Sequence, residues 1–390
     1  MTNIRELYLR LCMSGVFRKV TEKQLFKCFF DYAKSTATDD KIKAYAAFVS
    51  EIYASGTTLT ALVFKLVCED ENTYIKSRAK GLKIRDELTA AVKSELLAFE
   101  SFASLTPEQF SDDMGVDFVL PFVNERIDFV SAYEGRIRDV SRYGYGIFSA
   151  YPMFRLADSG VIEPIISADK TTMSKFVGYA DERAQVINNT VAFIENRPAA
   201  NVLLCGDAGT GKSSTVKAIV NEFFDRGIRL IELRKDQLKY LPYVMGSVSE
   251  NPLKFIIFID DLAFNKSDDN FSMLKAALEG SAAARAENAV IYATSNRRHI
   301  IKETFGEREG NEVHVNDTLQ ETLSLSERFG LVILFQKPNK ALYLEIVHEL
   351  AARFGVEMEK AQLDIKAEEF ALRKGNRSAR CAEQFIHSLI

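Results

Sequence analysis

The chain has 390 residues, 47% of them hydrophobic and 27% charged, with a formal net charge of −4. That length provides for roughly two or three domains with sizeable cores, the composition excludes a disordered chain, and the slightly acidic balance argues against a broad nucleic-acid footprint. Five scattered cysteines without a C-x-x-C pair, and four histidines without ligand spacing, read as thiols in a reducing compartment rather than disulfides or a metal centre.

The N-terminal stretch MTNIRELYLRLCMSGVFRK interrupts its apolar residues with Arg5, Glu6 and Arg10, so it has no signal-peptide core. No apolar run reaches the length of a membrane span, and the expected address is the cytoplasm, with no membrane partner. Residues 1–150 carry apolar residues at helical spacing, as in TEKQLFKCFFDYAK and DKIKAYAAFVSEIYA, and read as an all-helical domain with a partner-binding or regulatory role. Thr106-Pro107-Glu108-Gln109 has the make-up of a helix start: an N-cap, a proline at the first helical position and a glutamine at N3. The many phenylalanines and tyrosines of this half are read as core. SRYGYGIFSAYPMFRL (141–156) has no clean period, and 151–169 reads as a connector.

Short apolar runs alternating with helical patterns occupy 170–337: NVLLC, IRLIEL, KFIIFID, AVIYAT and LVILF are each bounded by turn or charged residues. Such alternation implies an α/β fold with a parallel sheet wrapped by helices. The first run leads into GDAGTGKS (206–213), which has the form G-x-x-x-x-G-K-[ST]. Its glycines allow successive N–H groups to turn towards an anion. The helical run TVKAIVNEFFDRG that follows offers its positive end to the same anion. Gly206, Asp207, Ala208, Gly209, Thr210, Gly211, Lys212, Ser213 and Ser214 therefore form an expected phosphate cradle, with Lys212 as a mobile charge for the β and γ phosphates and the Ser213 hydroxyl as a Mg²⁺ ligand. KFIIFIDDLAF delivers Asp260 and Asp261 to the carboxyl edge of the sheet, where such folds bind ligands. Asp260 suits Mg²⁺ held through its water shell, and Asp261 suits orientation or deprotonation of an attacking water. After Pro338 only helical patterns remain, among them NKALYLEIVHELAARFG and SARCAEQFIHSLI, and 338–390 reads as a helical lid.

In this order the motifs resemble those of AAA+ ATPases over residues 170–390. The resemblance implies that TSN (294–296) is sensor 1, with Asn296 near the γ-phosphate of ATP. It implies that Arg328, in SERFG, is an arginine finger reaching a neighbouring subunit, and that Arg380, in RSARCAEQFI, is the sensor 2 arginine, with Arg377 as second choice. FVGYADERAQVINNTVAF (176–193) occupies the place of the segment bordering the adenine, which brings in Val177 and Gly178. More narrowly, FVGYADER, NNTVAFIENRPAANVLL, GTGKSS, IDDLAF, YATSNRRH and LSLSERFG look like the bacterial AAA+ family known as domain of unknown function 815, which implies ATP binding and names no substrate. Most AAA+ motors carry glutamate where this chain has Asp261, so slow hydrolysis is expected. Arg297, Arg298 and His299 read as solvated surface, and the polar stretch 302–321 as a loop facing a pore or a partner.

The expected function is that of a homo-oligomeric ATPase, using ATP and Mg²⁺ to rearrange a protein client held by the helical domain. The alternative is a DNA-associated nucleotide switch, since an Asp-Asp pair also resembles replication initiators and helicase loaders. That alternative is disfavoured by the acidic balance and by a chain that ends at Ile390 with no helix-turn-helix after the lid. A P-loop kinase or a simple nucleotide-binding module would leave the sensor and finger motifs as accidents.

Overall fold

A computed structural model describes residues 3–262, 269–278, 286–296 and 328–390. The chain divides into two compact units, Met1–Ala150 and Tyr151–Ile390.

The first unit is helical. Gln24–Lys34, Thr38–Ser55 and Asp86–Ala103 are its longest helices among the described residues. Their apolar stripes meet in an aromatic core in which Phe26, Phe29, Phe48, Phe99, Phe102 and Phe110 are fully buried. Phe26 and Phe102 stack with centroids 4.7 Å apart, while Phe29 meets Phe102 edge-on at 4.8 Å, both favourable quadrupole geometries. The helix Pro107–Met114 starts as its sequence suggests, with the Thr106 N–H donating to Gln109 Oε1 at 2.9 Å. A carboxylate organises the turn before the short helix Arg18–Thr21. Glu95 accepts N–H groups from Gly15 and Val16 on Oε1 (2.9 and 3.0 Å) and from Phe17 on Oε2 (2.9 Å). No single helix among the described residues is long and apolar enough to cross a membrane.

The second unit is built on a seven-stranded sheet: β1 (Met153–Leu156), β2 (Ile162–Pro164), β3 (Val202–Gly206), β4 (Ile228–Leu233), β5 (Lys254–Ile259), β6 (Ala289–Ser295) and β7 (Leu331–Phe335), in the order β2-β1-β4-β5-β6-β3-β7. Only the β1–β2 pair is antiparallel. The helix Ala180–Ile194 and the helix Lys212–Phe223 pack on the sheet, giving one core with Val202, Leu204, Val216, Ile219 and Ile256 buried. Three C-terminal helices, Lys340–Arg353, Lys360–Lys374 and Ala379–His387, share a second core around Tyr343, Ile346 and Phe385.

The five apolar runs from NVLLC to LVILF are all strands, and their parallel pairing is an α/β P-loop sheet. The connector expected over 151–169 is different: it supplies β1 and β2, which extend the sheet beyond β4. MFRL carries an arginine among four residues and follows Pro152, so it shows no period on its own. It is held as a strand by backbone pairing of Met153, Phe154 and Arg155 with Leu230, Ile231 and Glu232. The stretch 297–327, with Arg297, Arg298, His299 and the polar segment 302–321, lies outside the described residues.

Glu95 anchors three backbone donors at once, so Glu95→Ala is expected to lower unfolding stability by about 2 kcal/mol and Glu95→Gln by less, because the amide oxygen keeps one acceptor. Urea unfolding of the full chain followed by circular dichroism measures both; equal stability of all three chains would contradict this.

Candidate functional site

Parallel strands deliver their carboxyl ends to one edge, and the loop 206–211 leaves the sheet there from β3. Gly206 has φ 131°, and a Cβ on it would lie 2.0 Å from the carbonyl oxygen of Phe335 on β7. Only glycine lets β3 pair with β7 to its last residue and then turn away. Gly209, at φ 78°, lies against the C-terminal helices: a Cβ there would be 3.1 Å from Ser378 Oγ and 3.3 Å from Arg380 Cβ. The helix Lys212–Phe223 starts directly on Gly211, so its unpaired first-turn N–H groups face the loop.

Lys212 is buried under this loop. Its Nζ donates to the carbonyl oxygens of Gly206 (3.0 Å) and Asp207 (2.7 Å) and to Asn296 Oδ1 (3.1 Å). Burial pushes its ammonium pKa down, and the carboxylates of Asp207, Asp260 and Asp261 pull the other way. Ser213 Oγ donates to Asp260 Oδ1 at 2.6 Å, and Thr294 Oγ1 donates to the same oxygen at 2.5 Å. The Asp261 N–H reaches both Asp260 Oδ1 (3.1 Å) and Thr294 Oγ1 (3.0 Å). Asp261 is held in the left-handed region at φ 51°, and its Oδ1 accepts from Asn296 Nδ2 at 2.7 Å. Lysine, asparagine and aspartate thus form one chain of contacts, and serine, aspartate and threonine a second beside it.

Three donors converge on Asp260 Oδ1, while Asp260 Oδ2 has no donor among the described residues. Among the described residues there is also no group of three or more His, Cys, Asp or Glu side chains able to hold a metal. A hydroxyl and one carboxylate suit Mg²⁺, which keeps most of its waters and takes further oxygens from phosphates.

Next to the loop is a cavity of 570 Å³. Gly209, Thr210, Gly211 and Ser214 line one side; Phe176 and Val177 line another, and Ile346, Arg353 and Arg380 from the C-terminal helices a third. Arg353 Nη1 donates to the Lys175 carbonyl at 2.6 Å, and Asn221 Nδ2 donates to the carbonyls of Asp169 (2.7 Å) and Thr171 (2.9 Å). The segment that walls the cavity is thereby tied to both the C-terminal helices and the P-loop helix.

Residues 149–390 match the family described as "Protein of unknown function (DUF815)". The chain belongs to this family. Its second unit has a P-loop α/β fold, and the order of its motifs resembles that of AAA+ ATPases. Over 199 residues, 44% of the chain, it is 28% identical to the chaperone protein ClpB of Rickettsia bellii (strain RML369-C), and likewise to that of Rickettsia felis (strain ATCC VR-1525 / URRWXCal2). The chain spans about a fifth (21%) of the length of these curated relatives. Among solved structures it is similar to the Thermotoga maritima RuvB Holliday junction branch migration motor (13% identity, TM-score 0.34, 56% of this chain and 72% of that one). It is also similar to a katanin chain from a study of katanin self-assembly (15% identity, TM-score 0.32, 55% and 69%). Likeness at that level carries no functional inference for this chain.

In the DUF815 chain the site residues named from sequence fall in three places. Lys212, Ser213, Asp260, Asp261 and Asn296 are joined by hydrogen bonds at the sheet edge. Gly209, Thr210, Gly211, Ser214, Val177 and Arg380 line the cavity, and the Arg380 N–H donates to the Gly209 carbonyl at 3.3 Å. Asp207 accepts the Lys337 N–H on Oδ2 (3.1 Å), Ala208 is exposed, and the Gly178 carbonyl accepts from Arg183. Arg377 is engaged elsewhere, bidentate to Glu368 at 3.0 and 2.7 Å. Arg328 stands three residues before the first residue of β7, at the edge of the sheet opposite to the loop that follows β3.

Sequence reasoning passed over Thr294, Arg183 and Arg353. Thr294 was recoverable from register, because Ile259 pairs with Ala293 and the next residues of β5 and β6 are Asp260 and Thr294. Arg183 stands on the stripe of Val186, Thr190 and Phe193, and an arginine on a buried helix face is itself a signal.

Thr294 both donates to Asp260 and accepts from the Asp261 N–H, so Thr294→Val removes one donor to the Asp260 carboxylate and the shorter of the two acceptors of that N–H. A loss of about 1–3 kcal/mol in unfolding stability is expected, read by urea denaturation, with Thr294→Ser close to the unmodified chain.

Proposed function

We propose that this chain binds ATP with Mg²⁺ at the loop 206–214 and hydrolyses it slowly, as a homo-oligomer whose nucleotide state rearranges a protein client. The observation that carries the reading is the convergence of Lys212, Ser213, Asp260, Asp261 and Asn296 at one sheet edge beside a cavity of nucleotide size. Lys212 now spends its ammonium protons on loop carbonyls and Asn296, and phosphate oxygens are stronger acceptors for the same protons. Ser213 and Asp260 would hold Mg²⁺, which neutralises charge on the phosphates when bound. Asp261, oriented by Asn296, would position and deprotonate the attacking water. Val177 and Gly178 would border the adenine, Arg380 would reach the phosphates from the C-terminal helices acting as a lid, and the helical first unit would hold the client. Five scattered cysteines without a C-x-x-C pair are compatible with a cytoplasmic address.

The homo-oligomer follows from Arg328. The strand β7 is five residues long, or about 17 Å, and separates this arginine from the phosphate-facing edge of its own sheet. At that distance from its own site, the motif resemblance supports a finger supplied to a neighbouring subunit.

Lys212→Ala is expected to abolish ATP binding in calorimetry, and unchanged affinity would refute the site. Asp261→Asn should keep ATP binding and lose hydrolysis in a phosphate-release assay. In pull-downs with ATP it should retain a client; retention of DNA in place of protein would favour the nucleotide-switch alternative.

Arg328→Ala should bind ATP normally and hydrolyse it more slowly by on the order of 10³-fold or more. Mixed with Lys212→Ala, it should regain activity, because adjacent subunits then form complete composite sites. Absence of regain despite demonstrated co-assembly would remove the trans role.

A further inference from the structure

Arg183 sits on the buried side of the helix Ala180–Ile194 and is only 6% exposed. Its Nη1 donates to the carbonyl oxygens of Gly178 and Val177, and its Nε lies 3.5 Å from Thr215 Oγ1. The guanidinium carbon lies 4.5 Å from the centroid of the Phe176 ring. All of these partners are neutral. Among the described residues Nη2 has no acceptor, and no carboxylate forms an ion pair with the group. Burial pushes its pKa down to about 10, which leaves it charged at neutral pH. Tyr179 and the Glu182 carboxylate oppose that push only at electrostatic range, and a desolvated cation with no hydrogen-bonded counter-ion is expensive for a fold to keep.

The surroundings indicate which anion is missing. Arg183 lines the 570 Å³ cavity together with Gly211 and Ser214, and its Nη2 is 3.7 Å from the point that a Cβ on Gly211 would occupy. The P-loop therefore has a cation on each side. Lys212 and Ser213 face Asn296 and Asp260, the side assigned above to the terminal phosphates and Mg²⁺. Arg183 meets the same loop from the side of Phe176 and Val177, where the base would lie. The phosphate between those two sides is the one joined to the nucleoside.

We infer that Arg183 is a nucleotide-binding residue whose guanidinium contacts the first phosphate of the bound nucleotide, and that this phosphate supplies the directly hydrogen-bonded anion that the buried group does not have among the described residues. The inference rests on the nucleotide reading of the loop 206–214 and adds a cation from outside the loop, the sheet edge and the C-terminal helices. The helix that carries Arg183 is anchored to β6 through Asn189 Nδ2 and Thr190 Oγ1 on the Tyr292 hydroxyl (3.0 and 2.8 Å), which fixes where the guanidinium stands against the loop.

The test compares the full chain with Arg183→Met and Arg183→Lys, using ADP with Mg²⁺ as the probe. Calorimetry should show ADP binding weakened roughly 10- to 100-fold in Arg183→Met, with partial recovery in Arg183→Lys, which keeps the charge and loses the fork. Without nucleotide, Arg183→Met should melt at or above the temperature of the unmodified chain, because the uncompensated charge is gone. A structural strut predicts the opposite sign. ADP affinity within about twofold of the unmodified chain in Arg183→Met overturns the inference, and so does failure of that variant to fold or a lower melting temperature without ADP. If the unmodified chain does not bind ADP, the nucleotide reading itself fails and takes this inference with it.

Discussion

The second unit depends on the close approach of two backbones at Gly206 and Phe335. β3 must stay in register with β7 through this last pair for the sheet to close on that side, and the chain must then turn out of the sheet at once. A side chain at 206 would collide with the Phe335 carbonyl, so pairing and turn coexist only with glycine. From that point the loop has little choice of path. Its carbonyls at 206 and 207 accept from Lys212, and Thr210 is buried with its hydroxyl on the Asp207 carbonyl.

How much of this was legible in the sequence depended on whether a feature is local. Strands β3 to β6 are short, mostly apolar runs buried on both faces, and β7 is an apolar run that leaves Val332 exposed; each was readable on its own. The loop and the Asp260–Asp261 pair were readable because each is a contiguous string with a fixed chemical purpose. β1 and β2 were not, since three or four residues show no period: β2 is a strand only through β1, and β1 only through β4, dozens of residues away. The same reason hid Thr294, whose importance lies in facing Asp260 across a strand boundary, and Arg353, whose acceptor is the Lys175 carbonyl. The helix Lys360–Lys374 was not singled out because much of its surface is charged and only Leu363, Ala367 and Ala371 are buried. What stayed invisible in each case was pairing across distance, which no single window of sequence contains.

The two buried cations of the site illustrate two ways of keeping a charge inside a protein. Lys212 is surrounded by three carboxylates within electrostatic reach and by carbonyls within hydrogen-bond reach, so its charge is compensated within the unit. Arg183 has dipoles and aromatic faces in contact, with the Glu182 carboxylate acting only at electrostatic range. A site of this kind separates the group that completes its own network from the group that waits for a partner. The wall between them is not rigidly part of either, since it is held by the side chains of Asn221 and Arg353 acting on backbone carbonyls at 169, 171 and 175.

The left-handed backbone at Asp261 has an implication for how this sequence can drift. Among residues with a side chain, asparagine and aspartate tolerate that conformation best, because a short polar group can settle against nearby backbone. A glutamate introduced at 261 would have the longer reach of a typical motor residue, and would also have to occupy a φ of 51° with a side chain less suited to it. The step from aspartate to glutamate is one carbon in chemical terms, yet here it is coupled to refolding the junction after β5 and to the Asp261 N–H that caps Asp260 and Thr294. The residue type at this position is thus set by backbone shape as well as by chemistry, and a lineage that has settled into this turn is confined to the shorter acid until the turn itself changes.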